Sequence, residues 1–167
     1  MIPDYRETDK ANDAVRFLAD GMLGRLAKWL RILGFDTAYD PALDDYALLR
    51  LARAEGRILL TCDHELAHHR GARSFLIEST DLVSQLRQVI YDLHLGLNAI
   101  FSRCPVCNTL LEALGREAVR DRVPAHVLET HTEFYHCPHC DRIYWPGTHR
   151  ARMLETLTRL SGQTSGK

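Results

Sequence analysis

Two groups of side chains in this 167-residue chain have the types and spacing to do chemistry. The first is a pair of knuckles, Cys104-Pro-Val-Cys107 and Cys137-Pro-His-Cys140. Two residues between the cysteines let both sulfurs of a knuckle reach one ion, and zinc prefers four such soft ligands in a tetrahedron. Four protein ligands close the coordination shell, so the zinc is read as structural, supplying folding energy to a region with few core residues. A redox C-x-x-C pair needs only one motif, usually at a helix N-terminus. His136 and His139 flank the second knuckle as substitute ligands, but four cysteines leave them more naturally exposed. Cys62 stands apart and reads as a small buried apolar residue.

The second group is acidic. Asp20, Asp40, Asp63 and Glu78 each end a short apolar run that reads as a strand, and Asp44 and Asp45 open a helix. Parallel strands would bring these ends to one edge, where open α/β sheets build their sites. Clustered carboxylates repel unless a cation lies between them. Mg²⁺ and Mn²⁺ take such oxygen ligands together with substrate phosphates, and a pair of them suits phosphodiester cleavage. The plain alternative for each acid is capping or turn formation, and Asp44, at the N-cap position, is read that way. Arg25, Lys28 and Arg31 follow Asp20 at helical spacing, opposite the leucines. A phosphate backbone could lie there, although the solvated face of an amphipathic helix has the same pattern. Arg25, nearest the acids, is the first candidate for substrate contact.

These residues need a scaffold, and residues 16–94 supply one by alternation. Strands are expected at 16–20, 37–40, 57–63 and 74–78. Between and after them come helices: one carrying Leu23, Leu26, Ala27, Leu30 and Leu33, one over 44–55, a short one over 64–70, and one over 80–93. Gly34 and Gly56 close the first two. Such β-α alternation means a parallel sheet with helices on both faces. Residues 1–15 read as a polar arm without a secretory h-region, 95–103 as a linker and 104–147 as the cysteine domain. A terminal helix over 148–160 is N-capped by Thr148, and 161–167 form a tail. The gap between the knuckles has room for a hairpin and a loop. Tyr135, Tyr144 and Trp145 either pack around the ribbon or stack a base.

Composition narrows the classes. The apolar fraction is 46% and the net charge −1, so a core can be buried and no polyanion partner is announced. Only Lys10, Lys28 and Lys167 are lysines, an arginine excess that suits phosphate contacts but also follows genome composition. No apolar run approaches the roughly 20 residues that span a bilayer. Cysteines in metal-type pairs point to a reducing, cytoplasmic setting. There is no dinucleotide fingerprint, Walker loop or nucleophile elbow.

The segments FLADGMLGRLAKWLRILGFDTAYD and DDYALLRLARAEGRILLTCDHEL, followed by two C-P-x-C knuckles, resemble the Mut-seven C-terminal RNase family over roughly residues 16–147. The resemblance implies a PIN-like three-layer α/β/α parallel sheet followed by a small zinc ribbon. It also implies a metal-dependent ribonuclease that acts on RNA with Mg²⁺ or Mn²⁺, with the ribbon aiding RNA binding. By matching motifs, Asp20 corresponds to the acid after the first strand and Asp45 to the acid opening the helix before A-R-x-E-G-R. Asp63 and Thr61 correspond to the acid and threonine of T-x-D, and Asp81 is a possible fourth acid, or simply a helix N-terminal charge. Asp20, Asp45 and Asp63 would hold the ion, while Arg25, Lys28, Arg31 and Thr61 would meet substrate. Cys62 stands where an arginine or asparagine is frequent. The rival reading is a non-catalytic RNA- or protein-binding adaptor with an inert acidic cluster.

Overall fold

The computed structural model describes residues 15–147 and Glu155. Most of the N-terminal arm, the expected terminal helix and the tail lie outside those residues. The chain divides into two compact units, residues 1–108 and 109–167.

The first unit is a four-stranded sheet in the order β2-β1-β3-β4, with every pair parallel. Its strands are β1 (Arg16–Ala19), β2 (Asp36–Tyr39), β3 (Ile58–Thr61) and β4 (Ser74–Leu76). The helices are α1 (Gly24–Ile32), α2 (Asp45–Glu55), α3 (His64–Ala67) and α4 (Leu82–Asp92), with a 3₁₀ turn over Gly21–Leu23. Phe17, Leu18 and Ala19 of the central β1 are fully buried, because a parallel strand covered on both faces needs apolar residues on both. Leu18 and Leu59 pack with Leu48 and Ala52 of α2 and Leu66 of α3. Phe17, which alternation turns to the opposite face, meets Phe35 edge-on at 5.9 Å. All four expected strands are present; three lie within the expected bounds with ends up to two residues shorter, and β2 is shifted one residue earlier.

Gly34 and Gly56 end α1 and α2 with φ of +95° and +62°, as left-handed helix stops. At Gly34 a side chain would also strike the carbonyl of Ala99. That contact lies in the segment read as a linker, residues 95–103, part of which packs against the end of α1. Ala99 is buried, Phe101 N–H donates to Ile32 O at 2.7 Å, and Arg103 Nε donates to Gly34 O at 3.2 Å. The carbonyls at a helix C-terminus have no partner within the helix, and this segment supplies donors for them. The unit boundary therefore falls after Asn108, and the first knuckle belongs to the first unit.

The second unit holds an antiparallel sheet, β5 (Glu112–Leu114), β6 (Phe134–His136) and β7 (Ile143–Tyr144), in that order. Where the sequence suggested a hairpin and a loop, a 3₁₀ turn over Arg116–Val119 and a short helix, α5 (Ala125–Thr130), join β5 to β6. They contribute Val119, Val123 and Val127 to a small core with Phe134. Trp145 packs against that core, which settles its role in favour of packing. Among the described residues no helix is long and apolar enough to cross a membrane.

At the start of β2, Asp36 Oδ1 accepts from Arg57 Nη1 and from Asn108 Nδ2, both at 2.7 Å. Burial alone would raise the Asp36 carboxyl, but these two donors outweigh it and hold it below its ordinary value. A carboxylate lowered in the folded state adds stability above its unfolded pKa of about 3.9, and that stability is lost as pH falls through the folded value. Asp36→Asn is therefore expected to cost about 1.5–3 kcal/mol at pH 7. In denaturant titrations its deficit against the unsubstituted chain should shrink below about pH 4; a pH-independent deficit would contradict the assignment.

Candidate active site and metal centre

The order 2-1-3-4 makes the chain leave β1 toward one edge and return past it to the other. The carboxyl ends of β1 and β3 thus flank a topological switch point, where open α/β sheets form their crevices. Asp20 directly follows β1, and Thr61 is the last residue of β3. Thr61 is fully buried, and its hydroxyl donates to Asp20 Oδ2 while accepting from Asp63 N–H at 3.0 Å. One hydroxyl therefore ties Asp20 to the turn that carries Asp63, on a single edge of the sheet. Asp20 Oδ1 also accepts from Met22 N–H at 2.8 Å, capping the 3₁₀ turn.

Asp20 is 7% exposed and is the buried acid among the described residues, yet it makes no ion pair there. Burying a carboxylate without a cation is costly. Its partners are a hydroxyl and an amide. Hard oxygen ligands on this edge suit Mg²⁺ or Mn²⁺.

The other acids share a second duty. Asp63 caps α3 through Leu66 N–H at 2.9 Å, and Asp44 caps α2 through Ala47 N–H at 2.8 Å. Asp81 caps α4 through Ser84, whose hydrogen bonds hold its carboxyl below the ordinary range, with the charge of Arg25 adding to the effect. Asp45, the first residue of α2, is exposed and makes no side-chain bond among the described residues. No three carboxylates among the described residues close to the spacing of the cysteine cluster below. Asp40 is a turn former, accepting from Ala42 N–H, and Glu78 lies beyond the end of β4 with its N–H held by Gln88. Neither joins Asp20.

The expected substrate contacts divide. Arg25 and Lys28 are exposed, and Arg25 is near enough to Asp81 to act on its charge. Arg31 is a correction: it is 7% exposed and donates to Thr37 O at 2.8 Å and Val106 O at 2.7 Å. It lies at the far end of α1, one helical turn nearer the sheet's amino edge than Lys28, where the first knuckle covers it. Burial pulls its pKa down, and the nearby Cys107 and Cys104 oppose that. Thr61, also expected to meet substrate, is fully buried, and its hydroxyl is engaged by Asp20 and Asp63. Burial pushes the Cys62 thiol up and Asp20 adds to it, so Cys62 is held as the inert thiol.

Cys104, Cys107, Cys137 and Cys140 offer ligand sulfurs that all lie within 4.8 Å of one another. A tetrahedral zinc with bonds of about 2.3 Å wants its sulfurs about 3.8 Å apart, so this set fits the ion with little adjustment. The two knuckles are built alike. Asn108 N–H bonds Cys104 O and Asp141 N–H bonds Cys137 O, each at 2.9 Å. Both residues adopt a left-handed φ, 71° and 57°, which asparagine and aspartate tolerate. His136 bonds Asp141 at 2.7 Å and His139 is exposed, so neither is needed as a ligand. Asn108 went unnoticed in the sequence, although a residue of this type follows the second cysteine of each knuckle.

The chain belongs to the family described as Mut7-C RNAse domain, whose model matches residues 15–157. Comparisons with curated proteins and with solved structures found no match.

Metal analysis of the purified chain is expected to find one zinc, and Cys104→Ser to lose it; full zinc retention would refute the four-sulfur site. Thr61→Val keeps the shape and removes the hydroxyl, leaving Asp20 short of a donor at a cost of about 1–3 kcal/mol. Urea unfolding measures this, and an unchanged midpoint would show that the hydroxyl is not holding the two chain ends.

Proposed function

We propose that this protein is a metal-dependent ribonuclease that hydrolyses RNA phosphodiester bonds at the carboxyl edge of its parallel sheet. The supporting observation is the Thr61 hydroxyl, which bonds both Asp20 and the backbone of Asp63 beside a buried carboxylate lacking a cation. Membership of an RNase domain family agrees with it. Asp20, Asp45 and Asp63 would hold Mg²⁺ or Mn²⁺, with Asp81 as a fourth acid. Such an ion supplies activation of water and charge neutralisation at the phosphate.

The chain's own groups have separable duties. Asp20 is fixed by two donors and cannot swing away. Asp63 spends one oxygen on its cap and keeps the other free toward solvent. Arg25 and Lys28, exposed on the helix that follows Asp20, are placed to meet the RNA backbone. In the hydrolysis a water oxygen bonds to phosphorus as the bond to the 3′ oxygen breaks, leaving a 5′ phosphate and a 3′ hydroxyl. The four-cysteine zinc has no open position and serves structure, with the ribbon aiding RNA binding.

The rival is a binding adaptor with an inert acidic edge. The observation on its side is that the carboxylates stand apart, each engaged as a cap or open to solvent.

Asparagine caps as well as aspartate, so Asp63→Asn should fold normally and keep its zinc. Its cleavage of RNA with Mn²⁺ should fall by about 100-fold or more. Undiminished cleavage by that variant removes the assignment; RNA binding without cleavage by the unsubstituted chain selects the adaptor.

A further inference from the structure

The outer side of α2 carries a groove of about 540 Å³, lined by Tyr46, Leu49, Arg50, Arg53, His69 and neighbours. It begins next to the candidate active site, because Tyr46 directly follows Asp45. Tyr46 is 74% exposed, although α2 has an apolar inner face at Leu48 and Ala52 where a ring could be buried. Met22, two residues after Asp20, is the other most exposed large apolar side chain, at 84%. One exposed ring and one exposed thioether thus follow Asp45 and Asp20 closely in sequence.

Tyr46, Arg50 and Arg53 recur at i, i+4 and i+7, a single stripe along α2. Arg50 and Arg53 make no ion pair or side-chain hydrogen bond among the described residues. Arg57, a few residues on, shows the contrast: it is paired to both Asp36 and Glu55. His69, which also lines the groove, has its Nδ1 bonded by Gly71 N–H at 3.0 Å. Leu49 gives the groove an apolar floor. An exposed aromatic ring followed by unpaired cations is the pattern that holds a single strand, with bases stacked and the backbone tracked by charge.

We propose that this groove is a subsite for single-stranded RNA flanking the scissile bond. A base stacks on Tyr46, and the adjoining backbone follows Arg50, Arg53 and His69 away from the acids. Its identity as an RNA subsite rests on the ribonuclease reading above. Strand form is the added content: duplex RNA keeps its bases stacked on each other and has none to offer Tyr46.

The test measures binding in the full zinc-loaded chain carrying Asp63→Asn, by fluorescence anisotropy of a labelled 12-nucleotide single strand. Tyr46→Ala should weaken binding about 5- to 100-fold and Tyr46→Phe hardly at all, since the stacking surface remains. Arg50→Ala and Arg53→Ala should each lower the slope of log affinity against log salt by about 0.7. Binding of the matching duplex should be unaffected by Tyr46→Ala. Unchanged affinity and salt slope in these variants overturn the proposal, as does equal weakening for duplex. Equally tight, Tyr46-dependent binding of an acidic peptide of the same charge would reassign the groove to a protein partner. The two readings fail separately: an unsubstituted chain that never cleaves RNA but binds it through Tyr46 sinks the nuclease and leaves the groove. One that cleaves without needing Tyr46 for binding does the reverse.

Discussion

The placement of Asp20 depends on a hydroxyl inside the sheet. Thr61 is the last residue of β3, and its Oγ1 bonds Asp20 beyond β1 and the amide of Asp63 beyond itself. A serine at this position would keep the donor but lose the methyl group that fills the buried space around it. The carboxylate is thus fixed in direction before any cation or substrate arrives. That is the condition for preorganised electrostatics: donors and charges are aimed beforehand and need not reorganise during reaction.

A second tie works at the opposite end of the sheet. Arg31 leaves the outer face of α1 to reach the carbonyls of Thr37 and Val106, and Asn108 reaches Asp36 and the amide of Thr37. The first metal knuckle is therefore built into the α/β unit at the amino edge, while the acids stand at the carboxyl edge. The first knuckle and Asp20 thus lie toward different ends of one set of strands.

Helix capping connects stability to the candidate site. Asp20, Asp44, Asp63 and Asp81 each accept a backbone N–H at a helix or 3₁₀ start. Parallel β-α units place those starts on the carboxyl edge, toward which the positive ends of the helix dipoles point. In Asp20 both oxygens are engaged, whereas Asp63 spends one oxygen on its cap.

The order of strands and helices, the glycine stops at Gly34 and Gly56, the acids that follow β1 and β3 and the four sulfurs were legible in the chain. Each is local: periodicity, a left-handed stop or a two-residue spacing carries its own physical signature. The strand order, and with it the switch point between β1 and β3, was not legible, because hydrogen-bonded neighbours lie some forty residues apart in sequence. Nor could the chain alone reveal that Arg31 is buried, that part of residues 95–103 packs against the end of α1, or that Thr61 spends its hydroxyl on Asp20. Arg25, Lys28 and Arg31 share a helical stripe; what covers one end of that stripe is a segment 75 residues later. Spacing says which way a side chain faces along its own element, and only packing decides what it meets there.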